Sequence, residues 1–214
     1  MPLEAGHERR ARSASANVWC AIGIRDMNAA EIDALLEVVT RSERPRTTPE
    51  ERITAVEDRR AIRDLIMVYG YLCDARRWDD LLALYTDDIE RVLAGSLTER
   101  VQGKATLREK LVAPTLERTD GDGAAPPPEY LVTLGLRHLM ASDVIRLSDE
   151  GTTATAAVQY TMVATADDER GFRRGSHEGS YVFDFRKEAG VWRFSRQLVT
   201  SDNAHNPMFQ REST

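Results

Sequence analysis

Ala61 to Asp88 reads AIRDLIMVYGYLCDARRWDDLLALYTDD, and this stretch decides the fold. Ile62, Leu65, Ile66, Tyr69, Leu72 and Cys73 recur at spacings of three and four, which makes the first part an amphipathic helix with one apolar stripe facing a core. Asp74 closes it. Trp78-Asp79-Asp80 opens a short second helix, which supplies Leu81, Leu82, Leu84 and Tyr85 before the acidic stop Asp87-Asp88. Upstream, Thr48-Pro49-Glu50-Glu51 gives an N-cap, a proline at the first helical position and a glutamate three residues after the cap. The long helix therefore runs from Thr48 to about Ala75.

Working outward, Asn28-x-x-Glu31 opens another helix with Ile32, Leu35, Leu36 and Val39, broken by Arg41 to Thr47 with Pro45 inside. This helix can pack outside the main domain or across a subunit interface. Residues 1–25 mix Arg, Ser, Ala and Gly without periodicity, and a flexible segment is expected. After Asp88, strands are expected over Ile89–Leu93 and Leu97–Val101 with a turn at Gly95-Ser96. A helix should follow from Gly103 to Leu116, stopping around Pro114. Glu117 to Pro128 has no apolar period and is long enough for a lid. From Leu134 the period changes to two. Leu136–Leu147, Thr153–Thr165, Gly175–Lys187 and Val191–Ser201 alternate, with turns between them. Helices followed by an antiparallel meander make an α+β domain.

The chain has 214 residues, 42% of them hydrophobic, enough for one well-filled core. A net charge of −6 argues against a nucleic-acid face. No apolar run approaches the ~20 residues a membrane helix needs, and no signal-type stretch follows Arg9, Arg10 and Arg12. Cys20 and Cys73 are the two cysteines, so a disulfide framework is not expected and a reducing cytoplasm is the simplest compartment.

A helix of form AIxxLIxxYxxxxD, a WDxLxxLYxDD turn and a strand beginning Arg137-His138 resemble the SnoaL-like branch of the NTF2-like superfamily. The resemblance covers about residues 50–203. It implies a cone of mixed or antiparallel sheet curled around the long helix, with a pocket at its open end. The domain is placed at residues 48–203, preceded by an extra helix and linker (26–47) and followed by a tail (204–214). Pro207, Met208 and Phe209 in that tail can fold over the pocket or a neighbouring subunit.

Asp74 is the first candidate for chemistry. At about 100° per residue it lies roughly 130° around the helix from Tyr69, off the apolar stripe, where a solvated carboxylate is the ordinary reading. The resemblance points the other way, because the family's catalytic aspartate lies in this turn. His138 is the second; on its strand it shares a face with Leu136, Met140, Ser142 and Val144. A histidine there is either a hydrogen-bonded core residue or a base, its ordinary pKa being near working pH. The resemblance implies that His138 abstracts a proton while Asp74 orients it. Tyr69 is either core packing or, by the resemblance, a group that polarises a substrate oxygen. Arg196 alternates with Trp192, Phe194 and Leu198, so it either points inward to hold an oxyanion or forms a structural salt bridge. His177 shares a face with Gly175, Gly179 and Tyr181, and the pattern leaves open whether that face lines the cone.

No HExxH, CxxC, GxGxxG or GxSxG appears, so neither metal nor cofactor is expected. The expected function is a cofactor-independent lyase/dehydratase, isomerase or cyclase acting on a small hydrophobic polyketide- or steroid-like substrate. The alternative is a non-catalytic ligand-binding or scaffold protein similar to ring-hydroxylating dioxygenase β-subunits. The alternating strands (Val158, Tyr160, Met162 against Val182, Phe183, Phe185) call for cover on both faces, so a homodimer or homotrimer is expected.

Overall fold

A computed structural model describes residues 29–93, 99–116, 135–168 and 171–201. The segment 1–25, the Gly95-Ser96 turn, the Glu117–Pro128 lid and the tail lie outside them. Helix α1 (Ala29–Thr40) is followed by the long α2 (Pro49–Asp74) and the short α3 (Trp78–Ala83). Strands β1 (Tyr85–Leu93) and β2 (Glu99–Gln102) then precede helix α4 (Lys104–Leu116). Four long strands complete the order: β3 (Gly135–Leu147), β4 (Thr153–Asp168), β5 (Gly171–Glu188) and β6 (Val191–Ser201).

The start of α2 follows from its sequence. Thr48 Oγ1 accepts from Glu51 N at 3.1 Å while Glu51 Oε2 accepts from Thr48 N at 3.3 Å, so two otherwise orphaned donors are satisfied reciprocally. Several boundaries differ from expectation: β4 runs on to Asp168, and β5 starts at Gly171 and not at Gly175. Tyr85 belongs to β1, not to the second helix, because the strand forms early: Tyr85 pairs with Phe194, whose N–H donates to Leu84 O. Pro114 lies within α4 and does not end it.

The described strands form one six-stranded sheet in the order β2-β1-β6-β5-β4-β3. All pairings are antiparallel except β1 with β6, so the sheet is mixed. Its inner face, toward α2, carries the main core. Ile62, Ile66 and Tyr69 of α2 pack with Ile89, Val158, Tyr181, Phe183, Phe185 and Phe194 of the strands. The rings interlock, with Tyr181 stacked on Phe183 at 5.0 Å and Phe183 against Phe194 at 4.8 Å.

The outer face is covered in part by α1. Val38, with Ala34 and Leu35, packs on Val92, Ala157, Val182 and Leu198. Arg146 donates to Val38 O and Val39 O and so satisfies carbonyls at the helix end. The expected stripe of α1 is rotated: Val38 is 5% exposed and Val39 is 42% exposed. Val38 stands four residues after Ala34 and three after Leu35, spacings that share the sheet-facing side. The pattern of apolar residues fixed the helix, and the sheet chose the side.

Candidate active site

The last turns of α2 meet β3 at Gly70. A Cβ built there would stand 3.4 Å from His138 Cβ and 3.5 Å from Met140 Cε, ordinary contact distances, so helix and strand lie one methyl group apart at this point. Four residues on, Asp74 points at the same strand. Ile66, Gly70 and Asp74 form one i, i+4 row along the edge of the buried stripe, which the angle from Tyr69 alone conceals.

Asp74 and His138 are brought together. His138 Nδ1 lies 2.6 Å from Asp74 Oδ1, and the backbone N–H of His138 donates to both carboxylate oxygens at 3.0 and 3.1 Å. Their side chains are 6% and 9% exposed. A carboxylate only accepts, so Nδ1 carries the hydrogen, and Nε2 is the nitrogen that is free to exchange a proton. Main chain and ring are thus held by one anion, which fixes both tautomer and ring orientation. Arg63 of α2 clamps Asp143 of β3 at 2.7 Å, a second tie across the same contact.

Around this pair stand groups that burial keeps neutral. Tyr69 lies 6.4 Å from the His138 ring and 5.7 Å from that of Tyr181. Its hydroxyl accepts from Gln197 Nε2 at 2.8 Å, and Gln197 Oε1 accepts from Tyr85 at 3.1 Å. Burial pushes the Tyr69, Tyr85 and Tyr181 hydroxyls up, and the Cys73 thiol to about 12. His177 does face inward, against Tyr160 at 6.0 Å. Burial lowers its pKa, Glu178 opposes that and His138 adds to it.

Two strand irregularities move residues away from their expected faces. In β6, Phe194 pairs with Phe185 and Arg196 with Asp184, so Ser195 is an extra residue. Trp192 and Phe194 face inward, but after the bulge it is Gln197 and Val199 that do so. Arg196 is therefore not at the site. It lies on the outer face, 3.4 Å from Glu90 and 3.6 Å from Asp184, beside a hollow of about 200 Å³ under α1. In β3, Ser142 and Asp143 stand opposite the single residue Val158, with Ser142 at φ 53°. Ile145 and Leu147, not Val144, continue the His138 face. Period two carries no mark of either bulge.

Sequence reading also missed Gln197 and Arg91. Arg91 sits between Ile89 and Leu93, which pack into the inner core, while Glu90 and Val92 serve the outer face. The alternation of β1 was the available signal. Among the described residues no three of His, Cys, Asp and Glu converge as metal ligands would. No described helix is long and apolar enough to cross a membrane.

The model of the SnoaL-like domain matches residues 54–197, more than half of the chain. The chain belongs to the SnoaL-like family. Solved structures place this SnoaL-like domain among NTF2-like folds. An NTF2-like protein with a cystatin-like fold from Novosphingobium aromaticivorans shares 24% identity over 70% of this chain and 85% of its own, with a TM-score of 0.51. A proposed scytalone dehydratase from the same species shares 22% over 70% and 87%, with a TM-score of 0.54. The β subunit of the benzoate 1,2-dioxygenase from Burkholderia mallei shares 14% over 71% and 93%, with a TM-score of 0.53. At these identities the likeness is one of fold. No curated protein matches the chain.

Proposed function

We propose that this SnoaL-like chain is a cofactor-independent acid/base enzyme, a lyase/dehydratase, isomerase or cyclase acting on a small hydrophobic polyketide- or steroid-like substrate. The observation that carries the reading is the His138 Nδ1–Asp74 contact of 2.6 Å on a nearly buried pair. Asp74 holds the Nδ1 hydrogen, so Nε2 takes the proton from carbon and the charge that forms on the ring lies against a carboxylate. The imidazolium then returns the proton to another atom of the substrate or to a leaving hydroxyl. The pair is nearly buried beside Tyr69 and the inner ring cluster, a setting that favours a hydrophobic substrate. Tyr69 is the candidate for a hydroxyl acting on substrate oxygen, and Gln197 holds its oxygen in place.

The test is His138→Ala on a substrate found by screening aromatic polyketide and steroid-like ketones. Turnover should fall by about 10² to 10⁴ with the fold intact. Full turnover in the folded variant ends this reading.

One observation favours a second reading, a scaffold similar in role to a dioxygenase β subunit. Tyr69, Tyr85, Tyr181, Phe183, Phe185 and Phe194 pack ring against ring and fill much of the inner face. Under that reading His138→Ala alters stability alone, and the chain co-purifies with a larger partner.

A further inference from the structure

Arg91 lies among the inner-face groups described above. It alternates on β1 with Ile89 and Leu93 of the inner core, and Tyr69, Tyr85, Tyr181 and Cys73 lie near enough to act on its charge. Burial pushes the ionisation of each of these upward, so near neutral pH all four are uncharged. Among the described residues no carboxylate pairs with it; the charged pairs of β1 belong to Asp87, Asp88 and Glu90, which serve Lys104, Arg186, Arg100 and Arg196. A partly buried guanidinium with no carboxylate partner among the described residues can take an anionic ligand, to which it offers five N–H donors. Its register partner on β6 is Gln197, the residue that holds Tyr69 and Tyr85. Tyr69, held by Gln197, has its ring 6.4 Å from that of His138, so the guanidinium and the His138–Asp74 pair are linked across one inner face.

We propose that Arg91 is the receptor for an oxyanion on the substrate, a carboxylate or an ionised enol or phenol oxygen, held on the inner face beside the His138–Asp74 pair. This deepens the proton-transfer reading above and rests on it for the identity of the ligand as substrate. The planar fork matches a carboxylate with two parallel hydrogen bonds and a single oxygen with one or two. Placed there, the anion supplies a counter-charge on the same inner face as His138. The substrate class is thereby narrowed from neutral hydrophobic molecules to hydrophobic acids and ionisable enols.

Binding of matched probes to the full chain tests this without a known substrate. 2-Naphthoate and 2-naphthamide have nearly the same shape and differ in charge. Calorimetric titration should give the acid an advantage of about tenfold to a hundredfold in Kd, the range for a hydrogen bond to a charged group. Arg91→Gln should remove that advantage and leave the amide where it was. If Arg91→Gln does not fold, Arg91→Lys replaces it: an ammonium in place of the fork should keep the preference and shrink it. 4-Nitrophenol, titrated below and above its own ionisation, separates the two sources. Tighter binding of the ionised form assigns an enolate or phenolate; no change, with naphthoate still preferred, assigns a carboxylate. The preference should persist in His138→Ala, so a failed base and a failed anion receptor give different results. Equal binding of acid and amide to the wild type, or a preference unchanged in Arg91→Gln or Arg91→Lys, overturns the proposal.

Discussion

Helix α2 buries two carboxylates against the same sheet, and they are used differently. Asp58 accepts from Lys187 Nζ at 2.6 Å and from Trp192 Nε1 at 2.9 Å, with Lys187 also lying 5.3 Å over the Trp192 ring. Asp74 accepts from an imidazole and a main-chain N–H. The first carboxylate faces an ammonium and an indole N–H, both of them hydrogen-bond donors only. The second faces a ring whose far nitrogen can take up or release a proton. A carboxylate braced by lysine and tryptophan ties helix to sheet; a carboxylate on histidine ties them and handles a proton as well. What distinguishes the two ends of α2 is the partner, not the aspartate.

The largest effect that would sharpen this contrast is on rate. Asp74→Asn keeps size and hydrogen bonding but deletes the charge, and turnover should fall by about 10² to 10⁴. The double variant with His138→Ala should be little worse than either single one, because the pair acts as a unit. Asp58→Asn should leave kcat within a small factor of wild type; a comparable loss there would erase the distinction.

Stability should respond in the opposite order. Asp58→Ala leaves Lys187 and the Trp192 N–H without their acceptor and should cost about 3 kcal/mol in urea unfolding. The equivalent change at Asp74 should cost less, since an imidazole can be left neutral.

The closeness of α2 to β3 gives a third and smaller effect. Gly70→Ala places a methyl at ordinary contact distance from His138 and should raise stability by up to about 1 kcal/mol through helix propensity, with turnover kept. Gly70→Val adds branches that have to push β3 away, and turnover should drop. A valine variant with full turnover would show that the close approach does not set the pair.

The smallest effect is that of pH. The folded chain holds His177 below its ordinary pKa, chiefly by burial. As pH falls through the ordinary histidine range the unfolded chain takes up the proton first, so stability declines on the acid side. His177→Asn should flatten that decline in Tm measured against pH, and an unchanged slope would remove His177 as its source.

Much of this was legible beforehand because it depends on local chemistry. The Thr48–Glu51 capping box, the three-and-four spacing of α2 and the change to period two each determine an element from neighbours in the chain. The WDxLxxLYxDD turn and the Arg137-His138 strand start pointed to the SnoaL-like family, whose domain model matches residues 54–197. What only the tertiary structure decided is which way particular side chains point. The extra residue Ser195 turned Arg196 outward and Gln197 inward, and the Ser142-Asp143 bulge put Ile145 where Val144 was expected. Arg91 was passed over because a lone arginine on a short strand has no periodic signature; its setting is made by Tyr69, Tyr85 and Tyr181, which are distant from one another in sequence. Periodicity is a property of unbroken elements. A bulge sets two residues of one strand opposite one of its partner, so it belongs to the pairing of two strands and leaves no mark in the period of either.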